Sequence, residues 1–142
     1  MTLNHFVLSI IFLSFLSISN CSGTPPKFTG SFAPCPDSPN CVSTRSNSLE
    51  HSIKPFFYKG NMETAKNKVL ALIAQMPRAR IILNKKKFIH VEFTSKIFGF
   101  VDDVEFYFDK DGVISFRSAS RLGYSDLGVN RERMESIRKR LE

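Results

Sequence analysis

The chain carries no tryptophan, three cysteines and three histidines in 142 residues. These scarcities exclude several classes of protein. Zinc generally takes four nitrogen or sulfur ligands, and no second cysteine pair or Cys/His cluster exists, since His51 and His90 fall in separate elements. The seven glycines form no phosphate-cradling loop, so neither a metal nor a cofactor is expected. The longest apolar run, Phe6 to Ile18, is interrupted by serines and falls short of the roughly 20 residues that span a bilayer. Acidic residues are in deficit, 13 against 20 Lys and Arg, for a formal charge of +7. Phenylalanine is what the chain has in excess: fourteen, ample volume for the core of one small domain. No internal repeat, low-complexity tract or second domain is visible.

Residues 1–20 read as a signal peptide with Phe6 to Ile18 as its apolar region. The run ends in Ile18-Ser19-Asn20-Cys21. This resembles the bacterial lipobox, in which the cysteine is lipidated and becomes the new N-terminus; plain secretion with cleavage nearby is the alternative. Ser22 resembles a signal for sorting to the outer membrane. Lipidation of Cys21 leaves Cys35 and Cys41 as an even pair in an exported, disulfide-permissive compartment. Pro36 and Pro39 already restrict the chain between them, so the disulfide contributes at the low end of the roughly 0–5 kcal/mol range. Residues 21–34 carry Gly, Thr, Pro and Ser with little apolar periodicity and read as a flexible, lipidated tether. Residues 35–142 read as a single globular domain. On an exported chain the positive charge points to an anionic membrane surface, a cell-wall polymer or an acidic partner, and not to nucleic acid.

Within the domain, Val42 to Ser48 reads as a polar connection, and Ile53 to Tyr58 predicts a short strand kept at a sheet edge by Pro55. Asn61 is a good N-cap. Ala65, Val69, Leu72, Ile73 and Met76 then form the stripe of an amphipathic helix that Pro77 ends. Ala79 to Leu83 and Lys87 to Ser95 predict strands around a lysine-rich turn, with Ile89, Val91 and Phe93 alternating with His90, Glu92 and Thr94. In the next hairpin Val104, Phe106 and Phe108 share one face, and Asp103, Glu105 and Tyr107 the other. Asp109-Lys110-Asp111-Gly112 suits a type I turn with a left-handed glycine bulge. That register sets Phe106 opposite Phe116 and Glu105 opposite Arg117, with Asp103 diagonal to Arg117 and Arg121. A closing helix from about Asn130 buries Met134, Ile137 and Leu141. The fold class is α+β: a mainly antiparallel sheet of four to five strands with two helices packed on one face.

Three blocks carry a resemblance. Phe32 to Ser43 (Phe-Ala-Pro-Cys-Pro-Asp-Ser-Pro-Asn-Cys-Val-Ser), Glu92 to Phe106, and the tract from Arg117 to Arg133 resemble, in order, three blocks of the family catalogued as domain of unknown function 1499. The resemblance covers nearly all of the chain after the tether. It implies a bacterial envelope protein or small exported lipoprotein. It implies no catalytic residue, because the family has no established activity.

The third block concentrates the candidate residues. Guanidinium groups are always charged and suited to bidentate contacts, and two readings stay open. In one, Arg117, Arg121, Arg131 and Arg133 pair with Asp102, Asp103, Glu105 and Asp126, clasping loop and helix to the sheet. In the other, Arg117, Arg121, Tyr124, Ser125, Asp126, Asn130 and Arg131 hold an anionic or polar small molecule beside a helix N-terminus, where backbone N–H groups favour anions. Asp102, Ser118 and Ser120 fall on the apolar face, a pattern shared by a pocket floor and the frayed end of a core. A nucleophilic serine needs a positioned base, and neither His51 nor His90 clearly reaches Ser118 or Ser125. Asp102 and Asp103 point to opposite faces, which disfavours a carboxylate dyad.

The functional expectation is a non-catalytic structural or binding module of the bacterial cell envelope. It is anchored to the membrane through Cys21, on the periplasmic face of the outer membrane. A small-ligand or lipid-binding domain is the alternative and an envelope hydrolase the third. The expected partner besides the membrane is an anionic small molecule or another envelope protein.

Overall fold

The structure is a computed structural model and describes residues 23–27 and 29–141. The signal peptide, Cys21 and Ser22 lie outside the described residues. Eight elements follow in order: β1 (Cys41–Ser43), β2 (Phe56–Phe57), α1 (Met62–Ala74), β3 (Ala79–Lys85), β4 (Phe88–Thr94), β5 (Val101–Lys110), β6 (Val113–Ser120) and α2 (Val129–Leu141). The strands form one six-stranded antiparallel sheet in the order β1-β6-β5-β4-β3, with β2 pairing to the same edge of β6 as β1.

The α+β expectation holds, and the strand count rises from four or five to six. The additional strand is β1, inside a segment read as a loop. Three residues carry too little alternation to announce a strand. Cys41, Val42 and Ser43 are extended because Ala119, Ser118 and Arg117 offer them a free edge. The Cys35–Cys41 disulfide forms at the start of this strand.

Local signals elsewhere coincide with the elements. Asn61 caps α1, its Oδ1 accepting from the Thr64 N–H at 2.8 Å. Gly112 turns the β5–β6 hairpin with φ 75°, a left-handed conformation that glycine adopts without a Cβ penalty. Beyond that turn Phe106 faces Phe116 and Glu105 faces Arg117. The core lies on one face of the sheet. Val69, Leu72 and Ile73 of α1 and Met134 and Ile137 of α2 share a buried cluster with Ile89, Val91, Val104, Phe106 and Phe116. The Phe56 ring stacks on Phe116 at 4.4 Å between centroids. Each such side chain stabilises the fold by about 1.5–3 kcal/mol relative to exposure.

The opposite, outer face of the sheet is polar yet buried: His90, Glu92, Asp103, Glu105 and Arg117 are each 8% exposed or less. Part of the cover comes from residues preceding the disulfide. Pro25 and Pro26 border a cleft together with Phe88, His90 and Glu105. Phe32 meets Tyr107 edge-on, and the Arg45 guanidinium sits over both rings while bonding Ser31 and Asp109. The described residues of the segment read as a tether therefore include side chains in contact with the sheet.

Candidate functional site

At the polar end of the inner face, side chains from β5, β6 and α2 satisfy one another. Pairing puts Asp102 opposite Ser120, whose Oγ donates to Asp102 Oδ1 at 2.6 Å. Arg133 Nη2 donates to Asp102 Oδ2, also at 2.6 Å. Asn130, fully buried in the first turn of α2, is the hub. Its Oδ1 accepts from Ser118 Oγ and from Arg133 Nη1, and its Nδ2 donates to Asp126, Ser120 and the Asn40 carbonyl. Arg133 also stacks over Phe93, 4.6 Å from the ring centroid. The Ser/Asp end of this face is thus a core margin sealed by hydrogen bonds.

Asp126, expected opposite an arginine, does something else. Its Oδ1 accepts from the Gly128 N–H and its Oδ2 from the Asn130 N–H, at 3.0 and 2.8 Å. A carboxylate so placed complements the partial positive charge of the α2 N-terminus. The position that the ligand reading reserves for an anion is filled by the chain's own Asp126.

A second network lies on the outer face. Register sets Glu92 opposite Asp103 and His90 opposite Glu105. Arg121, just beyond β6, binds Asp103 in a fork, Nε to Oδ2 at 2.7 Å and Nη2 to Oδ1 at 2.8 Å, and also bonds Glu92. Its side chain is only 6% exposed. Glu92 accepts a further bond from Arg80 at 2.6 Å, whose side chain is 75% exposed. His90 Nε2 donates to Asp103 Oδ1 at 2.6 Å. Arg117 Nη1 reaches Glu105 Oε2 at 3.4 Å, and Arg117 Nε is buried without a partner.

These contacts set the ionisation of the carboxyl groups. Burial alone would raise Glu92 and Asp103, but hydrogen bonds from Arg80 and Arg121 to Glu92, and from Arg121 and His90 to Asp103, outweigh it and hold both below the usual range. The bond to Asp103, with that to Glu92, makes Arg121 more basic than a free guanidinium. Glu105 behaves oppposite in sign: burial pushes its carboxyl up, and the long contact with Arg117 offsets only part of this.

The seven residues offered as ligand contacts therefore do not converge. Arg117 and Arg121 face outer-face carboxylates, and Asn130 and Asp126 belong to the inner-face seal. Tyr124 is 76% exposed. Ser125 Oγ accepts from the Leu127 N–H, and Arg131 bonds the Glu50 carbonyl at 2.8 Å. Asp126 and Arg131 border a small cleft of about 80 Å³. Larger clefts, about 600 and 420 Å³, open beside Arg45 and His51 and beside Phe57 and Lys68. His51 is buried with Nδ1 bonded to the Cys41 carbonyl at 3.0 Å. Among the described residues, no three His, Cys, Asp or Glu side chains are grouped to hold a metal ion.

Sequence reasoning missed Glu92, Arg80, His90 and Asn40 as members of these networks. A signal existed for two of them, because alternation already placed His90 and Glu92 together on the outward side of β4. Fixing the β4–β5 register would have brought them to Glu105 and Asp103. No curated protein matches the chain. The model of a family described as "Protein of unknown function (DUF1499)" matches residues 31–141.

Proposed function

The chain belongs to the DUF1499 family, and from that premise we propose that it is a non-catalytic structural or binding module of the bacterial cell envelope, held to a membrane by lipid on Cys21. One observation carries the non-catalytic reading: three of the four arginines of the tract are neutralised internally. Arg117, Arg121 and Arg133 each meet a carboxylate on β4 or β5. Paired guanidinium and carboxylate groups satisfy one another with good geometry, so the tract works as a clasp fixing the loop after β6 and α2 to the sheet. The serine hydroxyls of the tract are likewise engaged. Ser118 donates to the Asn130 amide, which is no base, and Ser120 to Asp102, whose carboxylate is itself held by Arg133.

The envelope part of the reading rests on sequence chemistry. Phe6 to Ile18 followed by Cys21 has the form of an export and lipidation signal, and the Cys35–Cys41 disulfide suits an oxidising compartment. Outer-membrane placement follows from Ser22. Membrane fractionation of the Cys21→Ser variant tests the anchor. The variant should move to the soluble fraction, and retention with the membrane would overturn the assignment. A panel of phosphate, sulfate and short carboxylates tests the clasp: no thermal stabilisation is expected. Saturable stabilisation that disappears in Arg121→Ala would restore the tract as a ligand site.

A further inference from the structure

We propose that the end of the sheet carrying the β4–β5 loop and the β6–α2 loop rests on the lipid bilayer, with the apolar tips of both loops set into its headgroup region. This rests on the lipid anchor at Cys21 and adds which surface of the domain meets the membrane.

Strand register brings the two loops together. Thr94 at the end of β4 pairs with Val101 at the start of β5, and Asp102 pairs with Ser120 at the end of β6. The Arg121 N–H donates to the Val101 carbonyl at 3.0 Å, so both loops leave the sheet side by side. Between them they expose Ile97, Phe98, Phe100, Leu122, Tyr124 and Leu127. Ile97 is 82% exposed and Phe98 71%, and the Phe98 and Phe100 rings sit 5.6 Å apart as one apolar wedge. Exposed apolar residues scattered singly are ordinary, but a cluster at one end of a domain marks an interaction surface. The hairpin turns at the opposite end are charged instead, Lys85-Lys86-Lys87 and Asp109-Lys110-Asp111.

The path of the chain toward Cys21 identifies the occupant of the apolar end. Gly23 lies against Arg121 and Leu122, where an added Cβ would come within 2.7 Å of Arg121 Cβ and 3.4 Å of Leu122 Cγ. Only a residue without a side chain fits that approach. Cys21 is two residues earlier, and two Cα steps of 3.8 Å reach about 8 Å at most. Lipid on Cys21 therefore brings the bilayer to these loops and not to the charged turns. Once the anchor is inserted, contact of the tips is an intramolecular step at high effective concentration. The side chains suit it: Ile97, Phe98 and Leu127 match the acyl boundary, and the amphipathic ring of Tyr124 matches the headgroup level. Lys96, and Arg78 whose Nε donates to the Thr94 carbonyl at 3.0 Å, place positive charge at the margin, the sign that anionic headgroups attract.

The absence of tryptophan makes the test direct. Phe98→Trp puts a single fluorophore on the wedge. Phe57→Trp puts one at another exposed position, beside Val113 near the opposite end. Each full-length variant, expressed with its signal segment and purified in detergent from whole cells, is reconstituted with vesicles of phosphatidylethanolamine and phosphatidylglycerol and floated on a density gradient. On floated vesicles the Phe98→Trp emission should move to shorter wavelength and be quenched by lipids brominated on their acyl chains. Neither change should occur in Phe57→Trp. Ile97→Trp gives the same reading should Phe98→Trp fail to fold by circular dichroism. Flotation with unshifted, unquenched emission overturns the docking and leaves the anchor standing. A shift that bromine does not quench puts the wedge against protein, a second copy of the chain included, and overturns it too. Equal quenching in Phe57→Trp would show that no face is preferred, with the same consequence. Failure of the chain to float overturns the anchor and the docking together.

Discussion

Arg121 and Arg80 bond the same carboxylate, Glu92, and their removal should have very different consequences. The Arg121 side chain is 6% exposed and its partners Asp103 and Glu92 are 3% and 11% exposed, whereas Arg80 is 75% exposed. Arg121→Ala would leave Asp103 with His90 and Glu92 with a solvent-facing arginine. Removing one partner of a buried ion pair costs about 3–5 kcal/mol, because the remaining charge stays desolvated. At about 4 °C per kcal/mol for a domain of this size, the melting temperature should fall by about 12–20 °C. Arg80→Ala removes an exposed pair worth about 1 kcal/mol or less and should cost about 4 °C at most. Thermal denaturation followed by circular dichroism at neutral pH measures both. Adding Asp103→Asn to Arg121→Ala should recover part of the loss, since the uncompensated charge is then gone and the two changes fall short of additive. Equal effects of Arg80→Ala and Arg121→Ala, or full additivity in the double variant, would refute the buried-network account.

Acid titration gives a second check. Glu92 and Asp103 ionise in the folded state below their ordinary values of 4.5 and 3.8. Their contribution is present above those values and lost as pH falls through the lowered ones. Glu105, raised above 4.5, acts in the opposite sense, favouring the fold at low pH and losing that contribution as pH rises through its folded value. Arg121→Ala should therefore flatten the fall in stability as pH drops below the ordinary carboxyl values of 4.5 and 3.8, and an unchanged acid limb would count against the pairing. Asn130→Ala, which strips a fully buried hub from Ser118, Ser120 and Arg133, should cost about 3 kcal/mol or more in urea denaturation. Ser125→Ala, on the exposed loop, should cost less than about 1 kcal/mol by the same assay. Replacing Cys35 and Cys41 together with serine should lower stability by only about 1–2 kcal/mol, leaving a cooperative melt, because the prolines already restrict the short loop.

Much of the scaffold was legible because its signals are local. The stripe of Ala65, Val69, Leu72 and Ile73, the cap at Asn61, and the alternation of Val104, Phe106 and Phe108 depend on neighbours a few residues away, and each corresponds to an element with that face buried. The pairing of Glu105 with Arg117 was legible for the same reason, since a tight turn at Gly112 sets the register of β5 against β6. β1 carries no comparable signal, because three residues become a strand only when β6 offers an edge. The two readings of Arg121 stayed open in the sequence because its partners Asp103 and Glu92 sit on different strands, and no short-range rule fixes how β4 slides against β5.

The sequence by itself determined the periods, the turns, the positive charge and the cysteine pair, and thereby which side of each element is apolar. Tertiary structure decided which charges meet. That choice depends on registers between strands joined by long connections, on the bulge at Ile82, and on whether a segment such as residues 23–27 covers the outer face. Whether a guanidinium is a ligand contact or a clasp is a property of its partners' burial, and burial is created only when distant parts of the chain come together.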